Sequence, residues 1–253
     1  MNIDLTGKTI LVTGAGRGIG LTLATYLAKA GAKLILHANN NLKKAQELVD
    51  TFNNGSIALQ ANLDKSEETI ALFQNALDKV EKIDVIVNNA GISITSPIKS
   101  TDEEWVEHWD KTMRVNLQAT GILCKKAIQH FKQNEEGGII INISSRAAFR
   151  GDTEDYMAYA ASKGGMVALT RSIARAFGKE NITAFTIAPG FTRTDMAQEF
   201  IDIYGEDYAA KDIALDKLTE PEDLAPTIVF LASGLAKHAT GSTIDINAGS
   251  YVH

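Results

Sequence analysis

The chain has 253 residues, 45% of them hydrophobic, and its 25 basic and 31 acidic side chains give a formal net charge of −6. This length is typical of one α/β domain, so residues 1–253 are interpreted as a single domain. The acidic balance, without a basic block, argues against nucleic acid and anionic membranes as partners. No apolar run approaches the roughly 20 residues of a membrane span. The lone Cys124 and the lack of a secretion signal favour a cytoplasmic location.

Short β-branched runs alternate with helical patterns along the whole chain. Strands are predicted near 9–13, 33–38, 57–61, 84–88, 138–143, 183–187 and 243–247. Helices are predicted near 19–30, 42–52, 67–80, 101–132, 156–178 and 220–233. This alternation predicts an α/β fold, a doubly wound parallel sheet of about seven strands with helices on both faces. In such a sheet, ligands bind at the carboxyl ends of the strands.

Two of the predicted helices begin with recognisable capping residues. Thr101 followed by Glu104 is typical of a capping box, in which the threonine hydroxyl accepts a hydrogen bond from the first helical turn. Thr219-Glu220-Pro221 begins another helix, which Pro226 is expected to kink because proline lacks an N–H group.

The first predicted strand is followed by a glycine-rich turn, T-G-x-x-x-G-x-G, with Gly14, Gly18 and Gly20. A strand, such a turn and a helix form the context of a nucleotide-binding loop. Small residues let the backbone approach a diphosphate, and the helix N-terminus offers free N–H groups and a positive dipole end. Considered by itself, the turn could also be an ordinary tight connection between a strand and a helix.

Tyr159 and Lys163 lie four residues apart in a predicted helix, which places both side chains on one face. A free phenol has a pKa of about 10, and a fixed ammonium beside it stabilises the phenolate and lowers that value. The pair could then exchange a proton with a substrate oxygen at neutral pH. On spacing alone, two unrelated surface residues would explain the pattern equally well.

With these two motifs, the chain resembles the short-chain dehydrogenase/reductase family from Lys8 to about Val252. Four further segments carry the resemblance: Asn88-Asn89-Ala90-Gly91, Asn116, Ser144-Ser145, and Pro189-Gly190 with Thr194, Asp195 and Met196. The resemblance implies a Rossmann-type fold and an oxidoreductase that interconverts a carbonyl and a secondary alcohol by hydride transfer. It also implies a small-molecule substrate and a homotetramer.

The resemblance assigns roles to four catalytic residues. It makes Tyr159 the general acid and base, whereas Lys163 lowers the pKa of Tyr159 and bonds the nicotinamide ribose. Ser145 orients the substrate carbonyl, and Asn116 helps to hold a water in a proton relay. Ser145 is preferred to Ser144 because the second serine is catalytic in the family pattern. The resemblance also places a substrate lid near 190–218 and makes the slightly long loop 146–155 a border of the substrate pocket.

The predicted cofactor is NADP(H), favoured over NAD(H). The acid that selects NAD in many dinucleotide folds corresponds to Ala38, and no Asp or Glu occurs from Lys33 to Gln46. Arg17, Lys43 and Lys44 offer the positive charge that a 2′-phosphate needs, although use of both cofactors stays open. The predicted contacts are Thr13, Gly14, Gly16, Arg17, Gly18, Ile19, Gly20, Ala38, Asn39, Asn62, Leu63, Asn89, Ala90, Gly91, Tyr159, Lys163, Pro189, Gly190, Thr192 and Thr194.

The substrate is less constrained than the chemistry. The glycine-rich turn and the Pro189-Gly190 segment are most similar in sequence to the 3-oxoacyl-[acyl-carrier-protein] reductase type. Glu136 and Glu180, however, stand where that type tends to carry arginine for docking an acidic carrier. A general carbonyl reductase or alcohol dehydrogenase is therefore preferred, with the carrier-protein reductase second. A dinucleotide-binding sensor without activity is a remote third, and the scattered histidines predict no catalytic metal.

Overall fold

The computed structural model of the chain describes residues 3–194, 197, 205 and 210–252. Seven parallel strands form one sheet in the order β3-β2-β1-β4-β5-β6-β7. The strands are β1 Thr9–Val12, β2 Lys33–Ala38, β3 Ile57–Gln60, β4 Val85–Asn88, β5 Gly138–Ile143, β6 Ile182–Pro189 and β7 Thr243–Ile246. The strand order reverses between β1 and β4, and this switch point opens a crevice for a ligand. The predicted doubly wound parallel sheet is confirmed.

Eight α-helices lie within the described residues. They are α1 Gly18–Lys29, α2 Leu42–Phe52, α3 Ser66–Leu77, α4 Asp102–Met113, α5 Ala119–Phe131, α6 Ala147–Arg150, α7 Met157–Phe177 and α8 Pro221–Ala232. Short 3₁₀ turns cover Glu154–Tyr156, Gly178–Glu180 and Lys237–Ala239. The four-residue α6 was not predicted, because one helical turn is too short to show a periodic pattern.

The helix predicted at 101–132 begins as expected but is not uniform. The Thr101 hydroxyl accepts a hydrogen bond from the backbone N–H of Glu104, which starts α4. Between α4 and α5 the chain passes through a five-residue π-helical segment, Arg114–Gln118. Such a local widening of a helix is frequent at functional sites, and this one contains the predicted catalytic Asn116.

The sheet is buried on both faces, as its apolar strands require. Successive β1 residues point to opposite sides, so that Ile10 belongs to one cluster and Leu11 to the other. The first cluster packs α1 and α8 against the sheet, and the second packs α3, α5 and α7. The scaffold beneath the carboxyl ends of the strands is therefore fixed from both sides.

At the C-terminal end of the chain, α8 is capped by Glu220 and Asp223, which accept hydrogen bonds reciprocally, and it continues through Pro226. Much of the predicted lid at 190–218, including Asp195 and Met196, lies outside the described residues. Within the described ranges, no helix has the length and apolar character needed to cross a bilayer.

Candidate active site

The glycine-rich turn after β1 is tied to the turn after β4. The Thr13 hydroxyl accepts the backbone N–H groups of Asn89 and Ala90, each at 3.0 Å. In return, the Asn89 amide donates to the carbonyl oxygens of Thr13 at 2.9 Å and Gly14 at 3.2 Å. A Cβ added to Gly20 would lie 2.2 Å from the Gly14 carbonyl oxygen, so only glycine fits there. The two turns thus form one rigid wall at the switch point.

Beneath this turn lies His37, which the sequence analysis did not assign to the site. It sits in β2 with 1% of its surface exposed. Its Nδ1 accepts the Gly14 N–H at 3.2 Å, and its Nε2 lies 3.0 Å from the carbonyl oxygen of Ala61. These partners fix the neutral tautomer with the proton on Nε2, and burial lowers the pKa of His37. The one signal in the sequence is a polar residue inside the apolar run of β2.

The residues predicted to select the cofactor lie next to the glycine-rich turn. A Cβ on Gly16 would come within 2.8 Å of the Asn41 Cβ and 3.3 Å of the Ala38 Cβ, so this part of the turn packs on the end of β2. Asn39 is exposed just beyond, and its carbonyl oxygen accepts a hydrogen bond from Gln60 at 2.8 Å. Arg17 is exposed at the start of α1. The crevice at this edge is therefore bordered by polar groups and one guanidinium.

The other predicted cofactor contacts surround the same edge of the sheet. Asn62 follows β3, and its side-chain oxygen accepts the Asp64 N–H at 3.0 Å, whereas Leu63 is buried. Thr194 approaches the turn from the far side, with its Cγ2 at 3.4 Å from the position of a Gly18 Cβ. The remaining residues are Ile19 in the first turn of α1, and Pro189, Gly190 and Thr192 at and beyond the end of β6.

The two serines after β5 point in different directions. The Ser145 hydroxyl lies near enough to the Tyr159 phenol to lower its pKa, and it accepts the Ala147 N–H at 3.1 Å. Ser144 is buried and donates to the carbonyl oxygen of Lys163 at 2.9 Å. The structure thus brings Ser145, and not Ser144, to the phenol.

Lys163 lies beneath Tyr159 with 4% of its surface exposed. Its Nζ donates to the Ile143 carbonyl oxygen at 2.8 Å and lies 5.7 Å from the centre of the Tyr159 ring. A Cβ on Gly91 would be 3.4 Å from both this Nζ and the side-chain oxygen of Asn116, so the turn after β4 covers the lysine closely. Tyr159, Lys163 and the turn after β4 therefore meet at the carboxyl ends of β4 and β5.

Asn116 is held from several sides in the π-helical segment. Its side-chain oxygen accepts the Ile92 N–H at 2.8 Å, and its amide donates to the Ile92 carbonyl oxygen at 2.9 Å. The same amide donates to the Ser162 hydroxyl at 3.0 Å, and that hydroxyl donates to the Tyr159 carbonyl oxygen at 2.7 Å. This side chain therefore joins the turn after β4 to the helix that carries Tyr159.

Burial governs the ionisation of Tyr159 and Lys163. It raises the pKa of Tyr159 above its usual value, against the opposing effect of the nearby Ser145 hydroxyl. It lowers the pKa of Lys163 to about 8. The expected lowering of the Tyr159 pKa by Lys163 is thus not found among the protein groups. The ammonium bonds the Ile143 carbonyl instead of the phenol oxygen, and desolvation dominates both side chains.

No group of three or more His, Cys, Asp or Glu side chains suited to a metal ion occurs in the part of the chain that the structure describes. Cys124 is fully buried, and its burial raises the pKa of the thiol to about 12. A thiolate nucleophile is therefore unavailable from this residue at neutral pH.

Known proteins match the chain over nearly its whole length. The model of the family described as Enoyl-(Acyl carrier protein) reductase matches residues 14–251. A 3-oxoacyl-[acyl-carrier-protein] reductase FabG from Rickettsia conorii is 38% identical over 248 residues, which cover 98% of each chain.

Two solved structures share the fold at lower identity. A 3-ketoacyl-(acyl-carrier-protein) reductase from Brucella melitensis complexed with NADH has a TM-score of 0.89 at 28% identity, covering 98% of this chain and 100% of that one. A protein described as an NAD(P) dependent gluconate 5-dehydrogenase from Beutenbergia cavernae, with bound NADP, has a TM-score of 0.90 at 29% identity over 99% of both chains.

Proposed function

The chain belongs to the short-chain dehydrogenase/reductase family and is an oxidoreductase acting on CH–OH groups, and we propose that it reduces a carbonyl with NADP(H) through Tyr159. The observation that carries this proposal is the convergence of Ser145, Tyr159 and the buried Lys163 beyond the carboxyl end of β5. The serine hydroxyl lies near enough to lower the pKa of the phenol, and the lysine Nζ lies 5.7 Å from the centre of the phenol ring. Both hydroxyls can reach one substrate oxygen, which is the geometry that proton transfer to a carbonyl requires.

Each of the three side chains has a distinct task in the proposed reaction. Because its pKa is raised, the Tyr159 phenol is protonated at neutral pH and can donate a proton to the carbonyl oxygen as it gains charge. Ser145 donates a hydrogen bond to the same oxygen and orients it. Lys163, whose pKa is about 8, keeps most of its charge at pH 7 and would bond the nicotinamide ribose of the cofactor. A bound nicotinamide dinucleotide would supply the hydride.

The glycine-rich turn fits a dinucleotide. Gly20 is packed on the Gly14 carbonyl oxygen, which leaves no side chain between the turn and an approaching diphosphate, and α1 begins at Gly18 with its free N–H groups. Gly91 likewise has no side chain, which leaves space for a ligand beside the Lys163 Nζ. These residues would hold the diphosphate and the nicotinamide ribose.

Preference for NADP(H) over NAD(H) is supported by the charge around β2. Ala38 contributes no carboxylate at the end of this strand, and the exposed Arg17 directly follows Gly16, whose added Cβ would lie 3.3 Å from the Ala38 Cβ. In titrations of NADPH and NADH followed by cofactor fluorescence, Arg17→Gln should weaken NADPH binding about tenfold and leave NADH unchanged. Arg171→Gln, at an exposed position of α7, is the matched control. Tighter binding of NADH than of NADPH by the unaltered protein would contradict the preference.

The adjacent serines provide an internal control for the catalytic assignment. Ser145→Ala should lower kcat by about 100-fold or more, as expected for loss of a donor to a developing oxyanion. Ser144→Ala should mainly lower stability, since its hydroxyl bonds the Lys163 carbonyl oxygen inside the protein. Equal effects of the two changes on kcat at unchanged stability would overturn the assignment of Ser145.

A second candidate, 3-oxoacyl-[acyl-carrier-protein] reductase, is favoured by the name of the 38% identical relative. Docking an acidic carrier needs free cations, yet Glu180 pairs with Lys132 at 2.9 Å and Glu136 lies 3.5 Å from Lys82. The comparison of acetoacetyl carrier protein with the acetoacetyl thioester of N-acetylcysteamine separates the two candidates. A much lower KM for the carrier substrate would make this second candidate the better one.

The homotetramer expected from the family is likewise a proposal. It is supported by α4, where Val106 is 50% exposed beside the stacked rings of Trp105 and Trp109. Apolar side chains on an outer helix favour burial against another subunit. Light scattering on the eluted protein should give about four times the mass of the chain, 27.3 kDa.

A further inference from the structure

Arg146 is a buried cation for which the proposed reaction has no use. It directly follows Ser145, is 8% exposed, and its Nη1 has no hydrogen-bond partner among the described residues. A buried guanidinium without a full set of acceptors costs stability, because its hydration is lost and not replaced. The burial of such a group is most simply explained if the guanidinium binds an anion during function.

Arg146 lies at the edge of the sheet that the carboxyl ends of the strands form. Its backbone N–H donates to the Pro189 carbonyl oxygen at 2.9 Å, between the carboxyl ends of β5 and β6. The charge of Asp152 acts on the Arg146 guanidinium and also on the Tyr159 phenol, so both groups lie near the same carboxylate. Arg146 thus directly follows Ser145 in sequence, and its guanidinium and the Tyr159 phenol both feel the charge of Asp152.

A second arginine lies one helical turn further along. Arg150 ends α6, and its charge is close enough to repel that of Arg146. Its Nη1 is 3.6 Å from Oδ2 of Asp212, which lies within the segment predicted as the lid. Burial, and then the charge of Arg150, lower the pKa of Arg146, whereas the charges of Asp212 and Asp152 raise it. An arriving anion would add to the effect of these two carboxylates.

We propose that Arg146, supported by Arg150, forms an anion subsite beside Ser145 and Tyr159, so that the substrate is a ketone or secondary alcohol bearing a carboxylate or phosphate group. The planar guanidinium binds either oxyanion through two parallel hydrogen bonds. The inference rests on the proposed oxidoreductase function, and it gives that function a substrate class.

The test compares substrates that differ only in charge. With NADPH, 4-oxopentanoate should be reduced with a kcat/KM about 100-fold higher than its methyl ester, mainly through KM. Arg146→Met should abolish this preference and leave turnover of the ester unchanged, and Arg150→Met should reduce it in part. Arg171→Met is the matched control. Comparing dihydroxyacetone phosphate with dihydroxyacetone shows whether the subsite prefers phosphate to carboxylate. Comparing oxo acids of other lengths with their esters gives the preferred distance between the carbonyl and the anionic group.

Binding supplies a readout that does not depend on turnover. The Tm of the NADPH complex should rise with the acid and not with the ester, and Arg146→Met should lose this rise. Without any anion, Arg146→Met should itself have a higher Tm than the unaltered protein, because methionine removes a buried cation whose Nη1 has no hydrogen-bond partner among the described residues. Equal reduction of acid and ester, or equal stabilisation by both, would overturn the inference while the oxidoreductase function stands. Acid-specific stabilisation without reduction of any substrate would support the subsite and count against the proposed reaction.

Discussion

Replacing His37 by phenylalanine should weaken both the fold and the glycine-rich turn. The ring fills similar space, but the Gly14 N–H and the Ala61 carbonyl oxygen each lose the hydrogen bond to His37, at a position that is 1% exposed. Each unsatisfied buried group costs about 1–3 kcal/mol, which makes the expected loss about 2–6 kcal/mol. That is a large part of the roughly 5–15 kcal/mol that stabilises a typical domain.

His37→Asn separates the two hydrogen bonds. The asparagine oxygen can take the position of Nδ1 and accept the Gly14 N–H, but the side chain does not reach Ala61. Stability should recover by about half, whereas NADPH affinity, which depends on the turn at Gly14, should recover more fully. His238→Phe, at an exposed histidine, should change neither quantity.

The same residue predicts a dependence on pH. Burial lowers the pKa of His37 in the folded protein, so between the folded value and the ordinary value of about 6.5 the unfolded chain binds more protons. Its contribution is therefore constant above about pH 6.5 and is lost as pH falls through the folded pKa. Urea unfolding at several pH values between 8 and 5, with NADPH titrations, measures both effects. Unchanged stability and NADPH affinity in His37→Phe, with an unchanged pH slope, would refute the reasoning.

Three further predictions concern the site and its scaffold. Lys163→Met should abolish turnover. It should also raise the unfolding free energy at pH 7 by up to about 3 kcal/mol, because burial holds the lysine pKa near 8 in the folded protein. This gain in unfolding free energy should shrink as the pH rises from 8 to 10.5. Gly20→Ala should weaken NADPH binding at least about tenfold, since its Cβ would meet the Gly14 carbonyl oxygen at 2.2 Å, whereas Gly121→Ala, with open space around it, should stabilise α5 by roughly 1 kcal/mol. Thiol titration should find Cys124 unreactive in the native protein and reactive after unfolding; rapid native reaction would contradict its burial.

The sequence was sufficient for the fold because its signals are local and repeated. Apolar runs alternate with amphipathic stretches, and right-handed crossovers turn that alternation into a doubly wound parallel sheet. The glycine-rich turn and the tyrosine–lysine pair could also be located, since each is written within a few residues of chain.

Other features depend on residues that meet only in three dimensions. His37 reads as one polar residue in an apolar strand, and its importance comes from Gly14 and Ala61, each 23 or 24 positions away. The direction of the Tyr159 pKa depends on how deeply the phenol is buried, which spacing does not reveal. Arg146 looks like a loop residue until its burial is known.

The most direct test of the proposed function is NADPH oxidation, followed at 340 nm, against ketones, oxo acids, sugars and β-ketoacyl thioesters, with NADH in parallel. The unaltered protein should turn over one substrate class with NADPH, and Tyr159→Phe should bind NADPH normally but lose at least about 100-fold in kcat. Turnover retained by Tyr159→Phe, or no turnover of any class despite tight NADPH binding, would contradict the assignment of Tyr159 as the proton donor in an NADPH-dependent reduction.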